Sequence, residues 1–425
     1  ISFKKLHRYS PKQIIKLNHS GMPDGERECS ICHRHDYLKD GETECEICWT
    51  LKQMSGNILK GDFFTVTSKK EKTCLPLPGN CYLATDTEST LRKRMKEDNY
   101  YIRSYSKNKP YSGYYVSTKL WVGDYVNGET FEELGQRATG IERIAVMRAD
   151  VDNLGQAFVR GFENEKNGSK YVTLSRTATF SRKLSMFFKY HINSLLKEGG
   201  YSILEEEAQM EKEDDRRNAL IVYSGGDDLF IVGAWDDIIG FAVDLHDNLM
   251  EYSQDTLKIS AGIGIYPSKY PISIMARETG RLEEAAKSVE GKNAVALFDE
   301  KYTFPWEEFI ENVVEEKLYF IQKYFKVVDE KGKNFLYNLL ELVRKRKEDK
   351  INIARFAYLL GRMEPKVQRG EKKEEIEEKR NLHREFSRKM YEWIRVEKDA
   401  KELEMAIYLY VYTKREKEEH DGVNE

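Results

Sequence analysis

The stretch Leu220-Ile-Val-Tyr-Ser-Gly-Gly-Asp-Asp-Leu-Phe-Ile-Val232 decides the fold. Its apolar runs, Leu220–Tyr223 and Leu229–Val232, flank the turn Ser224-Gly-Gly-Asp-Asp228, which is the pattern of a β-hairpin. Upstream, Ile144-Ala-Val-Met147 reads as a buried strand running into Asp150-Val-Asp-Asn-Leu-Gly155. Between the two, Leu174–Leu196 carries Leu184, Phe187, Phe188 and Ile192 at helical spacing. Downstream come a helix over about Ile238–Tyr252, a strand at Ile259–Ile265, a helix at Pro271–Val289 and a closing strand at Ala294–Phe298. The order β-α-β-β-α-β-α-β is the ferredoxin-like plan with one further unit, and it predicts an α+β domain over 141–304.

On the N-terminal side, residues 1–60 are polar and loop-rich around paired cysteines. Residues 61–140 are rich in Tyr, Thr, Gly and Asn, and runs such as Asp62–Ser68 and Gly113–Ser117 predict short strands. Leu75–Asn80 reads as a turn or strand boundary. After Pro305, apolar residues spaced by three and four predict helices at Phe309–Phe325, Asn334–Arg346, Ile351–Leu360 and Arg384–Tyr412. The charge run Glu371–Arg380 reads as a solvated helix face or loop before it reads as a partner surface. The division expected is 1–140, 141–304 and 305–425, in line with the two to four domains that 425 residues suggest. Trp49, Trp121 and Trp306 read as packing residues, and Met147, Met186 and Met275 as core.

Charged residues make up 33% and hydrophobic ones 40%, which suits a globular protein with a strongly ionised surface. Sixty-nine Lys and Arg against 72 Asp and Glu leave a net charge of −3, so charge alone announces no nucleic-acid partner. There is no run of about 18 apolar residues, and no membrane span is expected. The opening Ile-Ser-Phe-Lys-Lys has no Met and no apolar signal segment, and reads as internal to a longer chain.

Three constellations carry chemistry. Cys29-x2-Cys32 and Cys45-x2-Cys48 offer four thiolates to a tetrahedral Zn2+ with no open position, hence a structural site. A redox pair or buried thiols are the competing readings, and His33 or His35 could stand in as ligands. Asp150 and Asp152, at the first strand's end, and Asp227 and Asp228, at the hairpin tip, fall on neighbouring strands and suit Mg2+ bound with phosphate oxygens. Gly225 and Gly226 would let a triphosphate approach the backbone, although Gly-Gly-Asp-Asp alone is also an ordinary turn. Lys287 and Lys292, in Lys287-Ser-Val-Glu-Gly-Lys-Asn293, could neutralise a triphosphate or simply end a helix.

Together the Ser-Gly-Gly-Asp-Asp hairpin, the Ala-Asp-Val-Asp-Asn-Leu-Gly strand end and the four-cysteine knuckle resemble the large subunit of type III CRISPR interference complexes, nearest the Csm (III-A) subtype. The resemblance implies a palm like that of GGDEF-type cyclases and polymerases, a zinc-knuckle linker domain and a C-terminal helical bundle. It implies synthesis of cyclic oligoadenylates from ATP with Mg2+ or Mn2+, in a cytoplasmic complex with other subunits, guide RNA and target RNA. Asp150, Asp227 and Asp228 inherit the metal-ligand role, Ser224 an adenine contact, and Lys287 and Lys292 the phosphates. Two departures stand out. A histidine–aspartate nuclease domain and a first palm are not recognisable, and His35-Asp36, His246-Asp247 and His420-Asp421 read as chance pairs. Leu229 stands where the GGDEF motif has Phe. A non-catalytic palm scaffold and a stand-alone dinucleotide cyclase are the alternatives to the enzyme subunit.

Overall fold

A computed structural model describes residues 28–32, 41–71, 73–97, 99–128, 130–163, 166, 168–210, 216–328, 334–365 and 373–415. His33, His35, Asp36, His420 and Asp421 lie outside them. The chain forms two compact units, Ile1–Val122 and Gly123–Glu425.

In the first unit, helix α1 (Glu46–Lys60) starts on Cys45, whose sulfur accepts from the Cys48 amide at 3.4 Å. Six strands follow: β1 (Phe63–Thr67), β2 (Leu75–Leu77), β3 (Cys81–Asp86), β4 (Tyr101–Lys107), β5 (Tyr111–Ser112) and β6 (Val116–Leu120). They make one sheet in the order β2-β3-β1-β4-β6-β5. Phe63 packs with Leu91 and Met95 of helix α2 (Glu88–Glu97), which gives the sheet its own small core.

The second unit is built on β7 (Ile144–Val151), β8 (Ala219–Ser224), β9 (Asp228–Ala234), β10 (Ile259–Tyr266), β11 (Ala294–Leu297) and β12 (Thr303–Pro305), in the order β12-β11-β10-β7-β9-β8. The four antiparallel strands β10-β7-β9-β8 are the ferredoxin-like sheet, and β11 adds to β10 in parallel. Strand β7 is longer than Ile144–Met147. Its charged residues Arg148 and Asp150 alternate with Ala149 and Val151, which are buried, so the run stays a strand past the point where apolar continuity ends.

Residues 123–140 belong to this unit. Helix α3 (Phe131–Gln136) lies here, and the Tyr125 hydroxyl donates to the Arg217 carbonyl at 2.6 Å. Two short helices, α4 (Leu154–Arg160) and α7 (Glu206–Met210), were not expected. The predicted helix at Leu174–Leu196 is α5 (Leu174–Met186) and α6 (Ile192–Glu198), joined by a π-helical turn at Phe187–His191. Helix α8 (Trp235–Ser253) and helix α9 (Ile272–Ser288) complete the domain.

The helical end comprises a π-helical stretch at Glu308–Leu318, α10 (Tyr319–Val327), α11 (Asn334–Lys345), α12 (Ile351–Gly361), α13 (Lys373–Arg395) and α14 (Glu397–Lys414). The single helix expected at Arg384–Tyr412 breaks at Val396, which is extended at φ −98° and ψ 132°. One hydrophobic core runs from Tyr125 through β7, β9 and α8 to Trp306, Phe386 and Leu409, so the sheet and the helical end share an interior. Trp306 is buried there, with its indole donating to the Ile259 carbonyl at 2.9 Å, whereas Trp49 and Trp121 are half-buried. Met147 and Met275 are core residues and Met186 is half-buried. Lys317 is buried beside Glu402 at 2.7 Å, in the same interior.

Candidate active site

Strand pairing assembles the acidic site. Antiparallel register sets Asp150 of β7 opposite Asp228 of β9, and the Val151 amide donates to the Asp227 carbonyl at 3.2 Å. The hairpin tip is thereby drawn against the end of the first strand. Partial burial raises the Asp227 carboxyl above its ordinary range; the charges of Asp150 and Asp228 add to this, and Lys287 offsets part of it.

Gly225 closes the hairpin by donating its amide to the Asp228 carbonyl at 2.8 Å. A Cβ at this position would overlap the Asp228 carboxylate and the Tyr223 hydroxyl, so only glycine leaves Asp228 where it is. Gly226 is roomier, with the Ser185 hydroxyl 3.8 Å from a Cβ built there. The Ser224 hydroxyl donates to the Phe188 carbonyl. Phe188 lies in the π-helical turn, where the ordinary hydrogen-bond ladder is interrupted and a carbonyl can serve a side chain.

Lys287, in the last turn of α9, reaches Asp150 Oδ2 at 2.5 Å and Glu283 Oε1 at 2.6 Å. Burial works against its charge, but the two carboxylates outweigh burial and its pKa rises. Lys292 sits in the turn before β11 with φ +54° and donates to Asn153 Oδ1 at 2.9 Å. The structure thus brings Asp150, Asp227, Asp228 and Lys287 together, and places Lys292 one link away on Asn153.

Asp152, expected from the sequence among the converging carboxylates, is turned into the protein instead, and Tyr223 was not singled out from sequence. Asp152 is 6% exposed; its Oδ2 accepts from the Ser260 hydroxyl and the Asn293 amide, each at 2.9 Å, while its buried Oδ1 has no hydrogen-bond partner. It therefore ties the end of β7 to the turn that carries Lys292. Tyr223 is turned outward by a bulge between Ile221 and Tyr223, and its phenol pKa is raised by the charge of Asp228 and a hydrogen bond to it. The Asp-x-Asp spacing was the available sign of the first, but no strand pattern announces a bulge.

The knuckle lies in the first unit. Sulfurs of Cys29, Cys32, Cys45 and Cys48 all lie within 4.8 Å of one another, the one such group of three or more potential ligands among the described residues. The three aspartates are less tightly gathered, one oxygen of Asp150 being turned to Lys287. Amides of Cys32 and Cys45 bring the Cys29 thiol down to about 6. Hydrogen bonding with Cys32 and burial push Cys48 up. In the His246-Asp247 pair, His246 is buried and stacks on Trp306 at 5.0 Å, whereas Asp247 is exposed and meets it from the surface at 2.8 Å.

Residues 143–296 match the family model of the second palm domain of Cas10/Cmr2, and residues 322–416 match the second helical domain of the Cmr2 subunit of the CRISPR RNA silencing complex. Over 98% of its length the chain is 42% identical to the CRISPR system single-strand-specific deoxyribonuclease Cas10/Csm1 (subtype III-A) of Mycobacterium tuberculosis. The chain is homologous to the Cas10/Csm1 proteins of subtype III-A. The protein of the same description from Streptococcus thermophilus is 39% identical over 97% of the chain. The chain spans about half the length of these curated Cas10/Csm1 relatives, 50% of each. A crystal structure of a Csm1–Csm4 cassette in complex with cA4 superposes with a TM-score of 0.58 at 22% identity, covering 84% of this chain and 49% of that one. At that identity the Csm1 likeness is one of fold. Among the described residues no helix is long and apolar enough to cross a membrane.

Proposed function

We propose that this chain carries the palm of a metal-dependent nucleotidyltransferase that makes cyclic oligoadenylates from ATP within an RNA-guided type III complex of the cytoplasm. The observation that carries the reading is the β7–β9 register, which places Asp150, Asp227 and Asp228 at one strand end with Lys287 beside them. The description of the Csm1–Csm4 cassette bound to cA4 supports the product class and a neighbouring subunit of the Csm4 kind.

Asp227 is raised by burial and by the charges of Asp150 and Asp228, and a divalent cation would relieve that repulsion, so the three carboxylates fit Mg2+ or Mn2+. Such an ion, when bound, supplies charge neutralisation for a phosphoryl transfer. Lys287 and Lys292 bind the triphosphate, Lys287 exchanging Asp150 for a phosphate oxygen. Gly225 and Gly226 let the nucleotide lie against the hairpin backbone. Ser224 fixes the hairpin to the π-helical turn, and its oxygen retains a lone pair for an adenine amino group. A 3′-hydroxyl of one nucleotide then attacks the α-phosphate of the next, its proton leaves, and pyrophosphate departs.

The four-cysteine knuckle fits one structural Zn2+: four sulfurs converge and the Cys29 thiol is biased to thiolate. We assign 123–304 to the palm, because residues 123–140, expected with the linker, pack into its core, which leaves 1–122 to the linker with its knuckle and 305–425 to the helical domain. The test is to incubate the purified complex with ATP, Mg2+ or Mn2+ and target RNA and to weigh the products. Cyclic adenylates that vanish in Asp227→Ala plus Asp228→Ala support the reading; their persistence in that variant overturns it.

A further inference from the structure

A groove of about 510 Å³ lies between α12 and α13, remote in sequence from the aspartates. Its α12 wall is apolar, formed by Ala357, Leu360 and Gly361. Its α13 wall carries Arg384 and Arg388, one helical turn apart, both exposed and without an ion pair among the described residues. The floor is polar and built: His383 is 5% exposed, with Nδ1 on the Tyr324 hydroxyl at 2.9 Å and Nε2 on the Ser387 hydroxyl at 3.3 Å. Tyr391 closes one end, 38% exposed. Glu364, the acidic group of the lining, faces Arg380 at 3.9 Å.

We propose that this groove holds one nucleotide of a single-stranded nucleic acid. Guanidinium groups spaced i, i+4 lie about 6 Å apart along the helix and can grip a phosphodiester from two sides. An apolar wall and an aromatic ring suit the face of a base, and the Ser387 hydroxyl, held in place by His383, suits its edge. The volume is in the range of a site for a small ligand. Arg380 and Arg395 fall on the same stripe of α13 as Arg384, Arg388 and Tyr391, so a strand leaving the groove meets further positive charge in both directions. An acidic peptide would use the arginines but would leave the apolar wall and Tyr391 without purpose.

The inference goes beyond the proposed synthesis and stands apart from the palm, and its test separates the two. Binding of a fluorescent twelve-nucleotide uridine RNA to the full chain is measured across a salt series for the wild type, Arg384→Gln plus Arg388→Gln, and Asp227→Asn plus Asp228→Asn. The arginine variant should bind at least fivefold more weakly, and its salt slope should fall by about 0.7, the value for the one phosphate gripped. The aspartate variant should bind as the wild type does, whether or not oligoadenylates are made. Photo-crosslinking of 4-thiouridine RNA to the wild type should mark the peptide containing His383 to Tyr391, which needs no variant to fold. Unchanged affinity and slope, a crosslink map that omits this peptide, or displacement of the strand by equimolar ATP or polyglutamate would each overturn the proposal.

Discussion

Replacing Asp227 with Asn removes one charge from the acidic site at nearly constant volume, and the structure assigns opposite signs to its effects on activity and stability. Its carboxyl is raised by partial burial and by the charges of Asp150 and Asp228. A carboxyl raised in the folded state favours folding while protonated, and that contribution is lost as pH rises through the raised value. At pH 8 the charged Asp227 is thus a burden which Asn relieves. Like-charge relief at a half-exposed position should amount to about 0.2–1 kcal/mol, the scale of exposed ion pairs with the sign reversed. For a unit of this size that is a rise of about 1–3 °C in Tm, and the gap should close as pH falls and the wild-type carboxyl takes up its proton. Oligoadenylate synthesis should meanwhile fall by about 10²–10³-fold, the usual effect of deleting one group that stabilises developing charge. Thermal melts at pH 5 and pH 8, beside product mass spectrometry, read both effects. A variant that melts several degrees lower at pH 8 while keeping wild-type synthesis would refute the argument on both counts.

Elemental analysis should find one Zn2+ per chain, and Cys45→Ser plus Cys48→Ser should lose it and loosen the first unit, as followed by proteolysis. Asp152→Ala should cost about 1–3 kcal/mol by stranding the Ser260 hydroxyl and the Asn293 amide, and should raise the KM for ATP more than it lowers kcat, read by urea melts and steady-state rates. Lys317→Met should destabilise by about 3–5 kcal/mol because Glu402 is left buried without its cation, whereas Lys317→Met plus Glu402→Leu should recover most of the loss in denaturant titrations. Gly225→Ala should leave Tm within a degree or two but reduce synthesis sharply, since the added methyl group displaces the Asp228 carboxylate.

The hairpin, the β7–β10 order and the shared end of Asp150, Asp227 and Asp228 were legible because apolar runs of strand length alternate with helical spacing around Gly-Gly. Features that depend on tertiary pairing were not. Strand β7 outlasts its apolar run because β9 and β10 hydrogen-bond it on both sides through Asp150. The break at Val396 falls in a sequence of good helix formers and is set by where α13 and α14 must pack. The site divides in the same way. The aspartates announced themselves by spacing, but Lys287 could be linked to Asp150 only once α9 had been laid across the sheet. The Ser224 contact depends on the irregular turn at Phe187–His191, for which the local sequence Phe-Phe-Lys-Tyr-His gives no cue.

The continuous interior from Tyr125 to Leu409 has a mechanical corollary. With apolar side chains of β9, α8, α10 and α14 interlocked in one close-packed mass, the described residues of 123–425 lack a greased seam along which the aspartate-bearing sheet could swivel against the tail. A subunit that grasps α13 or α14 would then hold the acidic cleft as one holds a blade by its tang: torque at the grip arrives at the edge undiminished. Communication with the rest of an assembly should therefore take the form of tilting the whole body, and a calorimetric scan of this unit should show a single cooperative peak.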